Sequence, residues 1–251
     1  MKNHQIHTLL ICLFGFVLTT SCVSKKDMVY FQNEEAIQNE ILRNYAPKIQ
    51  MDDIISIFVS AQDTEAAAPF NLFRGGSQVN AINPITYLVD TNGEISFPIL
   101  GQLKVLDLTT NELRTYLKGK LESYLKDPVV TIRLENFRVS VLGEVKTPGA
   151  FNVVSERISI PEAIALAGDL TIQGKRKNVL LIRNINGAIE KIRLDLTNES
   201  LFASPYYYLA QNDILYIEPN KAKVNSAAIG TTSSLISIAT AVLSLVLILT
   251  R

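Results

Sequence analysis

Short runs of alternating hydrophobic and polar residues in the first half of the chain predict a small sheet covered by one helix. Asp53–Val59 is rich in β-branched residues with partial alternation, and Val129–Leu134 alternates throughout. Both are predicted strands. Between them, Thr109–Glu112 has the pattern of a capping box, and leucines and tyrosines follow at helical spacing as far as Leu125. Residues 61–84 have no periodicity and are predicted to form a mobile loop.

A tight hairpin is predicted around Asp90–Gly93. The β-prone stretches Tyr87–Val89 and Ile95–Ile99 lie on either side of it. The pair Asn92-Gly93 accepts the positive φ angles that a two-residue hairpin turn requires. The pattern therefore predicts that these two stretches pair with each other.

The second half of the chain predicts further strands and one more helix. Arg138–Val145 is a predicted strand, Lys146–Gly149 has Pro and Gly where a type II turn uses them, and Ala150–Val154 is the returning strand. Ser159–Glu162 is a second capping box, which begins a short helix that closes at Gly168. The remaining predicted strands are Val179–Arg183 and Ile189–Leu194, joined by a turn at Asn186-Gly187, and Asp213–Ile217. This order predicts an α+β fold in which one helix packs on a mixed sheet.

Two predicted strands begin with the same pattern. Asp53–Ile57 has the sequence DIISI and Asp213–Ile217 has the sequence DILYI. Each is expected to follow a turn that delivers the chain into its sheet.

The first 21 residues have the form of a secretory signal. Lys2 precedes an apolar run from Leu9 to Leu18, and small residues then lead to Cys22. A cysteine at this point is similar to a bacterial lipoprotein signal, so Cys22 is the predicted lipidation site. The alternative is ordinary secretion, which would leave Cys22 unpaired in an oxidising compartment, because Cys12 lies in the removed segment. A multiply acylated cysteine would anchor the protein to a membrane.

The stretch Ser226–Thr250 contains no charged residue, Pro, Asn or Gln. At about 1.5 Å per residue, a helix of this length crosses a hydrocarbon layer of roughly 30 Å, so we predict a membrane-spanning helix. Small and hydroxyl-bearing residues recur along one side of it. Three interpretations are open: close packing between helices in lipid, the lining of a water-filled lumen within a ring of helices, or chance occurrence in a lone anchor. This stripe consists of Ser226, Gly230, Ser233, Ser237, Thr240 and Ser244.

Composition argues against catalysis and against nucleic-acid binding. The chain has 24 basic and 24 acidic residues, and removal of the signal takes away only Lys2, so the mature part is close to neutral. Both histidines lie in the signal, which leaves the mature part without an imidazole base or a His metal ligand. Five residues separate Gly168 from Gly174, whereas a phosphate-binding loop needs four. We therefore predict no enzyme, no cofactor and no metal site.

Several motifs together resemble the outer-membrane polysaccharide export family. They are Tyr30–Asn33, Asp52–Ile57, the stretch from Val89 through Gly93 to Gly101, Thr109–Glu112, Val139–Val145 with Pro148-Gly149, and Ala163–Gly168. The resemblance implies an export domain, one soluble-ligand-binding β-grasp domain and a C-terminal membrane-spanning helix. The implied boundaries are 1–21 for the signal, 22–135 for the export domain, 136–222 for the β-grasp domain with its closing strand, and 223–251 for the helix. Asp52 and Asp169 stand where the family has glycine.

The resemblance implies a non-enzymatic outer-membrane lipoprotein that exports capsular or exopolysaccharide through a homo-oligomeric pore lined by the stripe. Its soluble domains would lie in the periplasm, and Val23, in place of an Asp after the cysteine, favours the outer membrane. The implied partners are the polysaccharide cargo, further copies of the chain and an inner-membrane copolymerase. The alternative is a membrane-anchored periplasmic adaptor that binds glycan or a secretion partner and forms no pore.

Overall fold

The computed structural model describes residues 25–32, 45–72, 85–185 and 187–229, together with positions 237, 240 and 244. Two hydrophobic cores form within these residues. One core contains residues from Ile49 to Ile132, and the other contains residues from Phe137 to Ile217. The mixture of helices and strands in both confirms the predicted α+β class for the described part of the chain.

The first unit is an antiparallel sheet with a helix against it and a small hairpin beside it. Its elements are β1 (Ile54–Ser60), α1 (Thr64–Ala67), β2 (Thr86–Leu88), β3 (Glu94–Phe97), β4 (Gly101–Lys104), α2 (Thr110–Leu121) and β5 (Val129–Leu134). β1 is the central strand and pairs with β2 on one side and β5 on the other. β3 and β4 form the separate hairpin.

Helix α2 begins as its sequence predicts. The hydroxyl of Thr109 accepts the Glu112 N–H at 3.2 Å, and the Glu112 carboxylate accepts the Thr109 N–H at 2.8 Å. The regular helix ends one turn before the predicted end at Leu125, which is nevertheless buried. Each fully buried leucine of this helix contributes about 1.5–3 kcal/mol through removal of apolar surface from water. These leucines are Leu113, Leu117 and Leu121.

The predicted pairing of Tyr87–Val89 with Ile95–Ile99 is wrong. A turn does form, because Gly93 has a φ of +73° and its N–H donates to the Asp90 carbonyl at 2.9 Å. However, β2 pairs with β1, whereas β3 pairs with β4. The Gly93 carbonyl accepts the Val105 N–H at 3.0 Å, so the residues after the turn belong to the hairpin rather than to the first sheet.

The beginning of the predicted loop 61–84 is helical, so that prediction is wrong for these residues. An Asp63 carboxylate oxygen accepts the N–H groups of Glu65 and Ala66 at 3.0 and 3.1 Å, which caps α1. A 3-10 turn at Ala68–Phe70 follows and places its phenyl ring in the core. A helix this short has too few residues to produce a visible period in the sequence. Residues 73–84 lie outside the described part of the chain.

The second unit is a five-stranded mixed sheet with one helix packed against it. Its elements are β6 (Arg138–Gly143), β7 (Gly149–Asn152), β8 (Ile158–Ser159), α3 (Ile160–Leu166), β9 (Gly174–Ile185), β10 (Ala188–Leu194), a 3-10 turn (Glu199–Ala203), β11 (Tyr208–Leu209), β12 (Ile214–Pro219) and α4 (Lys221–Ile229). The strand order is β10-β9-β12-β6-β7, in which β12 runs parallel to β6 and the other pairs are antiparallel. The second capping box forms at Ser159 and begins α3, as predicted.

The predicted type II turn at Lys146–Gly149 is wrong, because Gly149 has no positive φ and begins β7. The glycine that the fold requires is Gly143. Its φ is +92°, and a Cβ added there would lie 2.0 Å from the carbonyl oxygen of Ile217. The parallel strand β12 therefore passes too close for any side chain at this position.

The two Asp-led strands begin in the same way, as their repeated sequence predicts. Each Asp side chain, Asp53 and Asp213, accepts a hydrogen bond of 2.8 Å from the N–H three residues earlier. The preceding residues, Asp52 and Asn212, both have positive φ angles, of +66° and +62°. Asp52 therefore adopts the left-handed conformation that the family's glycine would favour, and the turn is kept.

The two buried carboxylates differ in their partners. Asp213 is fully buried and binds Arg183 through two of its guanidinium nitrogens, with the shortest contact at 2.6 Å. Asp53 is 1% exposed, and among the described residues its Oδ1 has no hydrogen-bond partner. Burial raises the pKa of Asp53 to about 6.

Asn136 links the two units at their boundary. Its side chain accepts the Ile54 N–H at 2.9 Å and donates to the Asp52 carbonyl at 3.0 Å. Its own carbonyl accepts the amide of Gln211 at 2.8 Å. A stacked pair, Tyr45 on Tyr208 with ring centroids 5.0 Å apart, adds a second contact between the units.

We predict that Gly143→Ala lowers the free energy of unfolding by about 3 kcal/mol or more, since the new Cβ meets the Ile217 carbonyl. Gly187→Ala is the matched control. Gly187 also has a positive φ, of +86°, but an added Cβ meets no atom within 4 Å, so we expect a loss of only about 1 kcal/mol. Urea denaturation followed by circular dichroism measures both. Equal losses would show that the strand contact is relaxed in solution.

We predict that stability falls as the pH rises from about 4 to 6, because Asp53 ionises near pH 4 when unfolded but has a pKa of about 6 when folded. In Asp53→Asn this fall disappears, and above pH 6 the variant gains up to about 3 kcal/mol of stability relative to the unchanged protein.

Asp213→Asn is expected to destabilise the protein instead. It leaves the buried Arg183 without its carboxylate and costs about 3–5 kcal/mol at neutral pH. Urea denaturation between pH 4 and 8 distinguishes them, and parallel profiles for Asp53→Asn and the unchanged protein would contradict the raised pKa.

Candidate functional site

The predicted stripe is described at four of its six positions. These four residues are helical and exposed: Ser226, Ser237, Thr240 and Ser244. The other two positions, Gly230 and Ser233, lie outside the described residues, as does the predicted lipidation site Cys22. The Thr240 hydroxyl donates to the Ser237 carbonyl at 2.9 Å, a bond that helical hydroxyls commonly make. Where the chain is described, its helices are all too short or too polar to span a membrane. The membrane helix, the role of the stripe and the lipid on Cys22 stay predictions.

The second unit holds the first turn of α4 in place. Asn220 follows β12 directly; its N–H donates to the Gln173 carbonyl at 2.7 Å, and its side chain accepts the Lys223 N–H at 3.0 Å. Lys223 also lies 3.8 Å from the carboxylate of Glu144. The helix starts at Lys221, two residues before the predicted boundary, because Asn220 is its N-cap. An Asn directly before the helical stretch is a signal that sequence reasoning could have used.

Residues 25–32, which we call the N-terminal segment, lie against the second unit. The Phe31 N–H donates to the Leu196 carbonyl at 3.2 Å, and the Gln32 N–H donates to the Thr197 carbonyl at 2.7 Å. The predicted boundaries group this segment with the export domain, which follows it in sequence. The backbone contacts attach it instead to the domain that begins about a hundred residues later.

Tyr30 attaches the N-terminal segment to the loop that follows α3 and to β9. Its hydroxyl donates to Asp169 Oδ1 at 2.7 Å, and the Arg176 guanidinium lies 5.2 Å from its ring centroid. Burial, together with the Asp169 contact, raises the pKa of Tyr30 well above its usual range. Asp169 has a φ of +75°, so it replaces the family's glycine without a change of conformation and supplies an acceptor. Sequence reasoning missed this pair because its members are 139 positions apart.

The N-terminal segment and the start of α4 lie side by side. Asp27 and Met28 face Asn220–Ala222 across a pocket of about 430 Å³. Asp27 also forms an ion pair of 2.7 Å with Lys177. Cys22 precedes Asp27 by five residues in the sequence.

Positive charge is concentrated at this place. The run Lys175–Lys177, which is too short to suggest nucleic-acid binding, lines the pocket together with Lys221. Lys175 binds Glu218 at 2.9 Å, and hydrogen bonds from Arg193 and Lys175 lower the pKa of Glu218 to about 2. Glu218 is therefore ionised at every physiological pH. Asp27 raises the pKa of Lys177 in the same manner.

The arrangement is suited to attachment and binding rather than to catalysis. Within the described ranges, no group of three or more His, Cys, Asp or Glu side chains could hold a metal ion. The buried carboxylates Asp53 and Asp213 each accept a backbone hydrogen bond in the turn that precedes a strand.

Comparison with known proteins agrees with this division into units. Residues 42–135 match the family described as polysaccharide biosynthesis/export protein, and residues 137–217 match the SLBB domain. Two curated relatives are both named EPS I polysaccharide export outer membrane protein EpsA. The protein from Ralstonia nicotianae is 32% identical over 166 residues, which are 62% of this chain and 43% of the relative. The protein from Ralstonia solanacearum is 33% identical over 144 residues, which are 53% of this chain and 38% of the relative. The matched part therefore spans less than half of either relative.

We predict that Tyr30→Phe increases hydrogen exchange at the Phe31 and Gln32 amides about tenfold, because a hydrogen bond to a carboxylate is lost. Tyr124→Phe, at an exposed tyrosine of the first unit, is the control and should leave these amides unchanged. Hydrogen–deuterium exchange with peptide-level mass spectrometry measures both. If Tyr30→Phe exchanges like the control, the segment is held by its backbone contacts alone.

Proposed function

The chain belongs to the outer-membrane polysaccharide export family, a family of transport proteins rather than enzymes, and on that premise we propose that it exports an extracellular or capsular polysaccharide across the outer membrane. The observation that carries the proposal is the shared location of two chain segments on the second unit. Asp27, a few residues after Cys22, and Lys221, which begins α4, line the same pocket.

This shared location favours two attachments to one membrane. A lipid on Cys22 and a membrane-spanning helix over Ser226–Thr250 would both leave the second unit at one face, so both would enter the same bilayer from the same side. The second unit would then lie next to the membrane. The first unit, joined to it through Asn136, would extend away from the membrane into the periplasm.

The conduit itself would be a ring of copies whose C-terminal helices surround a wet path. Hydroxyl groups along the stripe would exchange hydrogen bonds with water and with a passing glycan without holding the glycan tightly. The described part of the chain contains no phosphate-binding loop, which supports an energy source outside this protein. An inner-membrane copolymerase would supply it.

The stripe is tested by the paired change Ser237→Leu and Thr240→Leu. In a lumen of identical helices the added side chains obstruct every copy at once, so we expect surface polysaccharide to fall at least tenfold. Ser237→Ala with Thr240→Ser is the matched control, because it keeps the side chains small. Immunodetection of polysaccharide on intact cells measures export, and unaltered export in the leucine variant would contradict a lumen at this face.

Two further measurements distinguish the adaptor alternative from the proposed pore. Ser237→Cys should give cross-linked neighbours if the helices form a ring, and the purified protein should conduct ions in planar bilayers. Conductance at background level, with the protein correctly inserted, would favour a membrane-anchored adaptor without a pore. Fractionation of inner and outer membranes tests the location separately.

A further inference from the structure

The pocket at the start of α4 has an excess of positive charge. Four cationic side chains line it against one carboxylate, that of Asp27. Glu218 lies beside it and is shared by Lys175, Asn178 and Arg193. Ion pairs with Asp27 and Glu218 occupy two of the lysines, but the pocket as a whole keeps a positive balance. The lining cations are Lys175, Arg176, Lys177 and Lys221.

Arg176 is the most unusual of these cations because it is only 7% exposed. One terminal nitrogen donates to the carbonyls of Gly174 and Thr171 at 3.0 and 3.4 Å, and the guanidinium also lies against the Tyr30 ring. Its buried Nε has no hydrogen-bond partner among the described residues. A buried guanidinium charge is unfavourable unless negative charge lies near it, so an anionic group in the pocket would stabilise the site. The planar guanidinium of arginine is also suited to binding two oxygens of a phosphate at once.

Two larger apolar side chains line the same pocket. They are Ile172, which is 63% exposed, and Met28. Exposed apolar side chains beside lysines are typical of a protein surface that meets the headgroup region of a bilayer, where lysine stems and apolar residues contact acyl chains and the charges contact phosphates. The volume of about 430 Å³ is within the range of small-ligand sites.

We infer that this pocket is a binding site for the phosphate headgroup of an anionic phospholipid of the membrane that α4 enters. Lys175 and Lys221 would contact the phosphate, Arg176 would support it from below, and Ile172 and Met28 would contact the beginning of the acyl chains. The inference rests on the proposed function only in that α4 must enter a membrane at this point. A bound lipid would fix the height of the second unit above the bilayer, and it would join the N-terminal segment to α4.

The site is tested by native mass spectrometry of the full chain in detergent, titrated with phosphatidylglycerol or with phosphatidylcholine. We expect phosphatidylglycerol to bind at least tenfold more tightly than phosphatidylcholine. Lys175→Gln with Lys221→Gln should remove that preference. Lys118→Gln with Lys120→Gln, on the exposed face of α2, removes the same net charge elsewhere and should keep it.

Three results would overturn the inference: no preference for phosphatidylglycerol in the unchanged protein, an equal preference in the pocket variant, or release of the lipid by 10 mM inorganic phosphate, which would assign the pocket to a soluble phosphate. The Lys175 and Lys221 changes are on the surface, so folding is checked by an unchanged circular dichroism spectrum. Lipid affinity is measured in detergent and does not depend on conductance or export. A failure of the proposed pore therefore leaves this result interpretable.

Discussion

The close parallel pairing of β12 with β6 is the constraint on which the rest of the second unit depends. β12 lies between β6 and β9, and the approach of Ile217 to Gly143 leaves no space for a side chain. A strand enclosed on both sides in this way cannot shift along its neighbours without the loss of two ladders of hydrogen bonds. Because Asn220 follows it directly and caps α4, the closure of the sheet also fixes where the C-terminal helix begins.

Asp213, which precedes β12, has a counterpart in the first unit, Asp53, and both carboxylates are buried. Both begin a central strand and accept the same backbone hydrogen bond, but only Asp213 has a cationic partner. Asn136 binds the backbone of the first turn with its side chain and meets Gln211, next to the second turn, with its carbonyl. The contacts between the units therefore include polar bonds at two turns and the stacked rings of Tyr45 and Tyr208.

The N-terminal segment is held on the second unit by several contacts of different strength. Its exposed ion pair between Asp27 and Lys177 contributes little by itself, since such pairs are worth about 0–1 kcal/mol. The two backbone hydrogen bonds and the half-buried Tyr30 contribute more, because they combine several contacts on one surface. As a result, Asp27 and the start of α4 lie at one face of the second unit. The basic side chains of the pocket lie at the same face, and an anionic bilayer surface attracts positive charge of this kind.

The sequence by itself determined the features whose cause lies within a few residues: the alternation of β1 and β5, the capping boxes at Thr109 and Ser159, and the paired Asp turns. Asn220 belongs to the same class, because a cap is visible from its position before a helix. Only the tertiary structure decided that β2 pairs with β1, that Gly143 faces Ile217, and that Tyr30 binds Asp169. These partners are tens of residues or more apart, and their choice depends on how whole faces become buried together, a free energy that no local pattern contains.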